Sequence, residues 1–333
     1  MKTSEIILAF LTILTMLFGP REETRIHKTE EPTTVILLKS GEKKTITVED
    51  YVTGVVLGEM PPTFEKEALK AQAVAARSYF YYCLAHHSHP HNGADVCDDP
   101  NHCCSYETVE TLSARFGKDY AEKAYAVIRE AVAETAGEVL VFGGRSRKDA
   151  ICAAWHSSSY GMTEDSGEIF LVSLPYLQPV QTYEALSPTE VFVSRSQLLS
   201  LLGTDALTAE IPSVKVTYHG FLRCDRLSVG RVTLTGAEAR SLFGLRSTSF
   251  TVRASRAGLT FSVYGFGHGV GLSQYGADAM AENGVGYREI LAHYYRGARL
   301  LDRSGKIVFS GRLLDSPRRK CYTEIENPIP ERK

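Results

Sequence analysis

The sequence lacks several features that would indicate common classes of protein. Lys and Arg total 37 against 39 Asp and Glu, a formal charge of −2, so no basic excess indicates a nucleic-acid partner. It contains no internal repeat and no low-complexity tract, which argues against a repeat array. Its 333 residues, 44% hydrophobic and 23% charged, are typical of a soluble globular protein with one large domain or two smaller ones.

The sequence also lacks a long apolar run of the kind that forms a standard membrane-spanning helix. The N-terminal run from Ile6 to Phe18, preceded by Lys2, spans only ~20 Å as a helix, against a hydrocarbon core of ~30 Å. This length is typical of a signal sequence, but the residues after it, FGPREET, offer no small-x-small cleavage site. We therefore predict an uncleaved signal-anchor at residues 1–20 and a polar linker at 21–32, with the remaining chain outside the cytoplasm. A cleaved signal and a buried core helix are the alternatives.

After the linker, helices and strands occupy separate parts of the sequence. Residues 33–52 predict a β-hairpin, and the alanine-rich stretch after Pro62 predicts a helix. A long helix is predicted over 114–136, with its apolar residues Phe116, Tyr120 and Val127 at helical spacing. Strand patterns dominate after residue 138. The segregation predicts an α+β fold, in which a helical N-terminal part packs against a mostly antiparallel β region.

The stretch GEMPPTFEKEALKAQAVAARSYFYY carries a candidate acid-base pair. Glu59 stands before two prolines, which predicts a turn, because proline lacks an N–H donor and disfavours helix in the residue before it. Arg77 lies deep in the following helix, among alanines and aromatic residues. A carboxylate at a rigid turn facing this arginine is one interpretation. The alternative is a structural pair, in which an acid lies at a helix end and an arginine extends its head to solvent.

A loop rich in cysteine and histidine carries a candidate metal site. His91, Cys97, His102 and Cys103 form the pattern H-x5-C-x4-H-C, which suits tetrahedral zinc and leaves no position open for water. We therefore predict a structural zinc in a loop over residues 86–106. A polar loop with a disulfide is the alternative. Four further residues compete as ligands: His86, His87, His89 and Cys104.

Two further clusters lie among the predicted strands. The hydroxyl-rich segment from Trp155 to Glu164 suits hydrogen bonding to sugars, or is a solvated turn. The segment from Gly265 to Gly276 places five glycines around His268 and lets the backbone approach a partner closely, either a ligand or a packed corner. It lacks the GK[ST] ending of a phosphate loop.

Five stretches taken together resemble one family. They occur in the order GEMPPTFEKEALKAQAVAARSYF, WHSSSYGMTEDS, LPYLQPV, SVGRVTLTGAEARSLFGLRSTSF and GFGHGVGLSQYGA, and that order resembles the stage II sporulation protein D family of bacterial cell-wall proteins. The resemblance covers roughly residues 35–314 and implies a catalytic domain over 33–315, with a C-terminal tail at 316–333. The cysteine-histidine segment is similar to the zinc loop of clostridial-type members. The segment WHSSSYGMT differs from the FHSTSGG expected of the family, with Tyr160 in place of a glycine.

The resemblance implies a membrane-anchored lytic transglycosylase. Such an enzyme cleaves the bond between N-acetylmuramic acid and N-acetylglucosamine without water and leaves an anhydro sugar. Glu59 matches the catalytic glutamate, and Arg77 would hold the substrate or orient Glu59. An acid role needs a raised pKa at Glu59, and a nearby arginine would lower that pKa, so we expect Arg77 to face the sugar. Ser157, Ser159 and Tyr176 fall in stretches that line the family's cleft, and His268 would organise it without being catalytic.

The resemblance also implies partners. These are peptidoglycan glycan strands and other stage II sporulation proteins, namely the P protein, an amidase, and the M protein, in septal wall remodelling and engulfment. Two other functions remain open. One is a non-catalytic peptidoglycan-binding or scaffold module that uses the same cleft. The other is a zinc hydrolase using His156 or His268, against which the closed four-ligand set argues.

Overall fold

A computed structural model describes residues 33–310, apart from residues 87–90, 92, 101, 144–148, 186, 208 and 221. The predicted signal-anchor (1–20), linker (21–32) and C-terminal tail (316–333) lie outside the described residues. Within the described part, no helix combines the length and apolar character needed to cross a membrane.

The helices fall into an N-terminal group, several short central helices and a C-terminal pair. Their bounds are α1 (Val48–Glu59), α2 (Lys66–His86), α3 (Val109–Phe116), α4 (Lys118–Glu134), α5 (Ser166–Phe170), α6 (Arg195–Leu202), α7 (Gly236–Phe243), α8 (Gln274–Glu282) and α9 (Tyr287–Tyr294). A 3₁₀ turn covers Thr204–Ala206.

The strands are short and form several small sheets. Their bounds are β1 (Thr33–Leu37), β2 (Lys43–Thr47), β3 (Val96–Cys97), β4 (Val139–Phe142), β5 (Asp149–Ala150), β6 (Trp155–His156), β7 (Thr189–Ser194), β8 (Val214–His219), β9 (Arg223–Val229), β10 (Val232–Thr235), β11 (Phe250–Ser255), β12 (Gly258–Val263), β13 (Leu272–Ser273), β14 (Arg299–Leu301) and β15 (Ile307–Ser310). The sheet orders are β2-β1-β3, β10-β9-β8, β11-β12-β7, β13-β6 and β15-β14-β4-β5. The pairs β1/β3 and β6/β13 are parallel and the other pairs are antiparallel. The predicted α+β class is confirmed.

Two hydrophobic cores and one small cluster organise these elements, and the small cluster packs β4, β5 and β14 against the end of α2. The larger core lies between α1, α2, α4, α8 and α9, where alanines of α2 such as Ala71 and Ala75 are fully buried. Because alanine has almost no side chain to accommodate, the neighbouring helices approach α2 closely on most of its sides. The smaller core belongs to residues 189–263 and packs Phe250 and Phe261 against Leu227. The site described below is supported mainly by the larger core.

Two local predictions differ from the structure. The predicted hairpin strand ends at Thr47, where its side chain accepts the N–H of Asp50 and begins helix α1. The predicted helix over 114–136 is two helices, α3 and α4, which are separated at Gly117 with φ 87°. The break turns the apolar residues near it outward: Phe116 is 55% exposed and Tyr120 is 43% exposed.

Candidate active site

Glu59 is the last residue of helix α1, rather than part of the separate turn that the sequence predicted. Met60 leaves the helix with extended backbone angles, φ −126° and ψ 140°, just before the two prolines. A helix cannot continue into this segment, because proline supplies no N–H and restricts the residue before it. Since eight residues of α1 are buried, Glu59 stands on an element that is firmly held in the larger core.

Both carboxylate oxygens of Glu59 accept hydrogen bonds from other parts of the chain. Oε1 accepts the backbone N–H of Ser105 at 3.0 Å. Oε2 accepts the indole N–H of Trp155 at 3.0 Å and the side-chain N–H of Gln274 at 3.3 Å. An ionised carboxylate can accept all three bonds at once. The three donors therefore fix the orientation of the carboxyl group.

Two glycines of α1 allow the segment carrying Ser105 to lie against the helix. A Cβ added at Gly58 would come 2.7 Å from Oγ of Ser105, and one added at Gly54 would come 2.2 Å from the ring of Tyr106. Real Cβ atoms do not make contacts this short. The glycines therefore permit the close approach that brings the N–H of Ser105 to Glu59.

The other two donors lie on, or directly after, a pair of adjacent parallel strands. In the register of β6 and β13, Trp155 lies opposite Leu272 and His156 lies opposite Ser273. Gln274 follows directly as the first residue of α8. The strand pairing therefore brings the Trp155 indole and the Gln274 amide to the same oxygen. The ring of Tyr79 packs edge-on against Trp155, with 5.8 Å between ring centroids.

Glu59 opens onto a cleft of about 410 Å³. The described residues that line it are mostly apolar or aromatic: Glu59, Tyr79, Tyr82, Pro100, Cys103, Cys104, Cys152, Ala153, Ala154, Trp155, Phe170, Val172, Leu174 and His268. Among these described residues, Glu59 carries the only carboxyl group. A single acidic group in an otherwise apolar cleft has the composition expected of a site for proton transfer.

His268 lines the cleft. Its Nδ1 accepts the backbone N–H of Val270 at 3.0 Å, and the ring of Phe170 packs edge-on against it at 5.1 Å. Burial, followed by the charges of Arg240 and Arg223, lowers the pKa of His268 to about 4. The imidazole is therefore neutral at neutral pH.

The hydroxyl loop is only partly accessible. Ser159 is buried: its Oγ donates to Nε2 of His156 at 2.6 Å, while Nδ1 of His156 donates to the carbonyl of Val270 at 3.2 Å. The backbone N–H of Ser159 donates to Glu184 at 2.7 Å, and the hydroxyl of Ser273 donates to the same oxygen at 2.6 Å. The expectation that Ser159 binds substrate is corrected, because its hydroxyl is used inside the protein. Ser157 is half-buried, and its carbonyl accepts the N–H of Tyr275.

Tyr176 is not among the described residues that line the cleft. Its side chain is buried, its hydroxyl accepts the backbone N–H of Cys152 at 3.1 Å, and its ring packs on Phe142 at 5.2 Å. The expected substrate contact is therefore corrected to a supporting one, because Cys152 itself lines the cleft.

Arg77 is not among the described residues that line the cleft, contrary to the expectation that it faces the sugar. Its side chain is fully buried. Its Nε and Nη2 donate to the two oxygens of Glu49 at 3.0 and 2.5 Å, and its Nη1 donates to the carbonyl of Glu138 at 3.2 Å. Glu49 also accepts the N–H of Gly137 at 3.1 Å. This bidentate pair joins the start of α1 to the middle of α2, so Arg77 supports the helix that carries Glu59.

The four residues predicted to bind metal lie together. One ligand atom from each of His91, Cys97, His102 and Cys103 lies within 4.8 Å of all the others. Nε2 of His91 is 3.1 Å from Sγ of Cys103, and Nδ1 of His102 is 3.4 Å from Sγ of Cys97. These separations suit four ligands about 2.0–2.3 Å from one tetrahedral ion. The set therefore has the donors and the spacing to hold a metal.

The competing ligands are not part of this cluster. His86 uses Nδ1 to contact the carbonyl of Tyr82 at 2.8 Å, and Cys104 is buried without joining the set. His87 and His89 lie outside the described residues. Within the part of the chain that the structure describes, neither His156 nor His268 belongs to a candidate metal cluster.

The metal loop and the carboxylate are adjacent. Cys103 lines the cleft and belongs to the metal cluster, and Ser105, two residues further along, donates to Glu59. An ion held by Cys103 would therefore restrain the backbone that positions Glu59.

Comparison with known proteins places the chain in a family. The family model described as Stage II sporulation protein matches residues 39–142, which include Glu59 and the metal loop. Two curated relatives are Stage II sporulation protein D of Bacillus amyloliquefaciens, 35% identical over 76% of this chain and 73% of the relative, and that of Bacillus subtilis strain 168, 33% identical over 77% and 74%. The chain belongs to the stage II sporulation protein D family. The Amidase enhancer of Bacillus subtilis is also similar, 29% identical over 74% of this chain and 40% of that protein.

The residues that hold Glu59 in this family member were not identified from sequence. Trp155 lies in the hydroxyl-rich segment, where the sequence pattern favoured the serines as binding residues. Gln274 lies in the glycine-rich segment, where the pattern favoured His268. Ser105 acts through its backbone N–H, for which its side chain gives no signal. Its one indication in the sequence is that it lies two residues after the predicted ligand Cys103.

Proposed function

We propose that this member of the stage II sporulation protein D family is a lytic transglycosylase that cleaves peptidoglycan glycan strands. The observation that carries the proposal is the single carboxyl group, Glu59, among the described residues of an otherwise apolar cleft. Ordinary glycosidases use two carboxylates, one of which activates water or attacks the sugar carbon. One carboxyl group is enough when the substrate supplies its own nucleophile.

In the proposed reaction, protonated Glu59 donates its proton to the oxygen that links N-acetylmuramic acid to N-acetylglucosamine. The bond from C1 of the muramic residue to this oxygen breaks, and the sugar's own C6 hydroxyl attacks C1. The Glu59 carboxylate then takes the hydroxyl proton, so it is regenerated in its acid form and no water is consumed. The products are a 1,6-anhydromuramic end and a free N-acetylglucosamine end.

The chain's other residues position this carboxyl group and shape the cleft. Ser105, Trp155 and Gln274 hold the two oxygens, and the apolar lining keeps bulk water away from the reacting sugar. We propose that the ion held by His91, Cys97, His102 and Cys103 is zinc. It would be structural, because four protein ligands leave no position for water or substrate.

We also propose an extracytoplasmic location, with residues 1–20 as the membrane anchor and a role in remodelling the septal wall during sporulation. The Stage II sporulation protein D relatives support the sporulation role. The partners would be other stage II sporulation proteins, with the P amidase and the M protein as the first to test.

One observation favours a second candidate function. The similar Bacillus subtilis protein named Amidase enhancer suggests that a chain of this kind can promote a partner amidase. The alternative is therefore a non-catalytic module that binds glycan through the same cleft.

Product analysis separates the two functions. Purified full-length protein in detergent is incubated with peptide-free glycan strands, and the new ends are identified by mass spectrometry. The enzyme is expected to form anhydromuramic ends, and Glu59→Gln to lose about 10²–10⁴-fold in rate while remaining folded. Glu122→Gln, on the exposed face of α4, is the matched control and is expected to cleave normally. Glycan binding without anhydro ends, or a Glu59→Gln variant within a few-fold of wild type, would contradict the proposal.

A further inference from the structure

Glu184 is a buried carboxyl group that the reaction proposed above does not use. It is 8% exposed and is not among the described residues that line the cleft. Its oxygen Oε1 accepts two hydrogen bonds, one from the backbone N–H of Ser159 at 2.7 Å and one from the hydroxyl of Ser273 at 2.6 Å. A single oxygen therefore joins two segments that are far apart in the sequence.

The bond to Ser273 restrains the start of helix α8. The Ser273 hydroxyl donates to Glu184 and accepts the backbone N–H of Gly276 at 3.3 Å, which makes Ser273 the N-cap of this helix. The next residue is Gln274, whose side-chain amide donates to Glu59 at 3.3 Å. Glu184 therefore holds the helix end from which Gln274 reaches Glu59.

The bond to Ser159 restrains the segment after strand β6. The Ser159 hydroxyl donates to Nε2 of His156 at 2.6 Å, and His156 directly follows Trp155, whose indole N–H donates to Glu59 at 3.0 Å. Strands β6 and β13 pair over only two residues each. Because this ladder is so short, a further link between the two segments contributes to their relative position.

The other oxygen of Glu184 lies against the first turn of α8. A Cβ added at Gly276 would come 2.8 Å from Oε2 of Glu184 and would overlap the hydroxyl of Tyr294. The glycine therefore lets the helix approach the carboxyl group closely. Burial raises the pKa of Glu184, while the bonds from Ser273 and Ser159 lower it. Since burial disfavours the charged form, a neutral amide of the same shape is a fair substitute for this side chain.

We propose that Glu184 is a positioning residue, whose Oε1 fastens the segment after β6 to the start of α8 and thereby keeps Trp155 and Gln274 aimed at Oε2 of Glu59. This inference rests on the proposed function, in which the orientation of Glu59 controls proton transfer to the glycan. Two donors on separate segments can hold one carboxyl group only while the segments keep their relative position. Glu184 therefore affects the rate without touching the substrate.

The test uses three variants of the full-length protein in detergent. Glu184→Leu removes the accepting oxygens, Glu184→Asp withdraws them by one methylene group, and Glu184→Gln keeps an amide oxygen that can accept both hydrogen bonds. We expect Glu184→Leu to lower kcat about tenfold, the scale of one hydrogen bond to a charged group, with little change in KM for glycan. Glu184→Asp should also lower kcat, and Glu184→Gln should keep it within a few-fold of wild type. If melting curves show that Glu184→Leu does not fold, the comparisons below are made with Glu184→Asp.

Trp155 gives a direct readout of the coupling, because it is the only tryptophan in the sequence. Protein labelled with isotopic nitrogen in tryptophan therefore shows one indole N–H signal in NMR spectra, and the hydrogen bond to Glu59 shifts the proton of this signal downfield. Glu59→Leu supplies the reference position without the bond. Glu184→Leu should move the signal towards that reference, and Glu184→Gln should leave it near the wild-type position.

Glu138→Leu is the matched control for the loss of a buried carboxyl group. Glu138 is 9% exposed, and its carboxylate accepts the hydroxyl of Tyr287 at 2.9 Å and pairs with Arg288 at 3.3 Å. Its replacement should lower the melting temperature but leave the indole signal and kcat unchanged. The same pattern in Glu184→Leu would mean that Glu184 is merely structural, and would overturn the proposal.

A background without the two donors tests whether Glu184 acts through them. In protein that carries Trp155→Phe and Gln274→Met, Glu184→Leu should lower kcat no further, because the groups that it positions are already absent. A full additional loss of about tenfold would show that Glu184 acts by another route.

The result is separable from the proposed function. If wild-type protein makes anhydro ends, but Glu184→Leu keeps both kcat and the indole signal, the positioning role is wrong and the enzyme assignment stands. If wild-type protein makes none, yet the indole signal moves in Glu184→Leu and not in Glu184→Gln, the positioning role stands and the enzyme assignment is wrong.

Discussion

The backbone N–H of Ser105 donates a 3.0 Å hydrogen bond to Oε1 of Glu59. Ser105 follows the candidate metal ligand Cys103 by two residues, so the same short segment contributes both to the metal cluster and to the carboxylate. A metal site can thus affect the chemistry through geometry alone, without contacting the substrate.

This arrangement predicts the behaviour of Cys97→Ser. Removing one thiolate should lower metal content and melting temperature together, because metal binding and local folding are linked. The freed loop should loosen the Ser105 hydrogen bond and slow cleavage by about tenfold, the scale of one hydrogen bond to a charged group. Elemental analysis, melting curves and anhydro-end formation on the same preparation check the prediction.

Cys224→Ser is the control for this experiment. Cys224 is buried in the smaller core, away from the cluster, so its replacement should leave the metal content unchanged. A Cys97→Ser protein that stays folded and stable but loses all activity would mean that the metal takes part in the chemistry. Wild-type protein that holds no metal when purified without chelators would favour a disulfide loop.

A second prediction concerns Trp155. Trp155→Phe keeps an aromatic ring in the cleft wall but removes the N–H that donates to Oε2 of Glu59. We expect kcat to fall about tenfold or more while KM for glycan changes little, because the lost bond positions the carboxyl group and does not hold the substrate.

A double variant distinguishes this role from general damage to the cleft. Adding Trp155→Phe to Glu59→Gln should reduce the residual rate no further, since the two residues act as one unit. An additional loss equal to that in the wild-type background would mean that Trp155 acts independently of Glu59.

The sequence singled out Glu59, which lines the cleft, and four cysteines and histidines that lie together, but it did not predict their contacts. The candidate metal site could be predicted because its two histidines and two cysteines lie within thirteen residues of one another, and these residue types are common metal ligands. Glu59 was a candidate because two prolines follow it. Helix α1 itself could not be predicted, because it is buried on most of its sides and its sequence has no amphipathic period.

Arg77 shows most clearly why the remaining contacts could not be predicted. Its partner Glu49 lies 28 residues earlier, and only the packing of α1 on α2 brings the two together. An arginine among alanines matches either a ligand-binding residue or a buried ion pair, and the sequence cannot choose between them. The same limit applies to Trp155 and Gln274, which reach Glu59 across 96 and 215 residues.

The buried pair predicts a large stability effect at Arg77. Arg77→Met leaves Glu49 without its guanidinium, and breaking a buried pair from one side costs about 3–5 kcal/mol. Arg77→Lys should also be clearly destabilised, because an ammonium cannot reproduce the bidentate contact. Urea unfolding measures both changes. If Arg77→Met instead kept wild-type stability and raised KM for glycan, Arg77 would be a substrate ligand after all.

The last prediction is a pH dependence of stability that originates at His268. Its folded-state pKa is about 4, against the usual 6.5, because it is buried and lies near the positive charges of Arg240 and Arg223. Between these two values the unfolded chain binds a proton that the folded chain does not, so stability must fall as the pH is lowered from about 6.5 towards 4. The neighbouring His156, whose pKa is also lowered by burial, acts in the same direction.

His268→Gln tests this prediction. The substitution removes one titrating group, while the glutamine amide oxygen can still accept the N–H of Val270. The slope of unfolding free energy against pH, measured with urea between pH 5 and 6, should therefore decrease by up to about 1.4 kcal/mol per pH unit, the value for one proton. Comparing the variant with wild type cancels the contributions of the metal ligands and the surface carboxylates. An unchanged slope would show that His268 is protonated in the folded protein at this pH, and that its imidazole is not the neutral group described above.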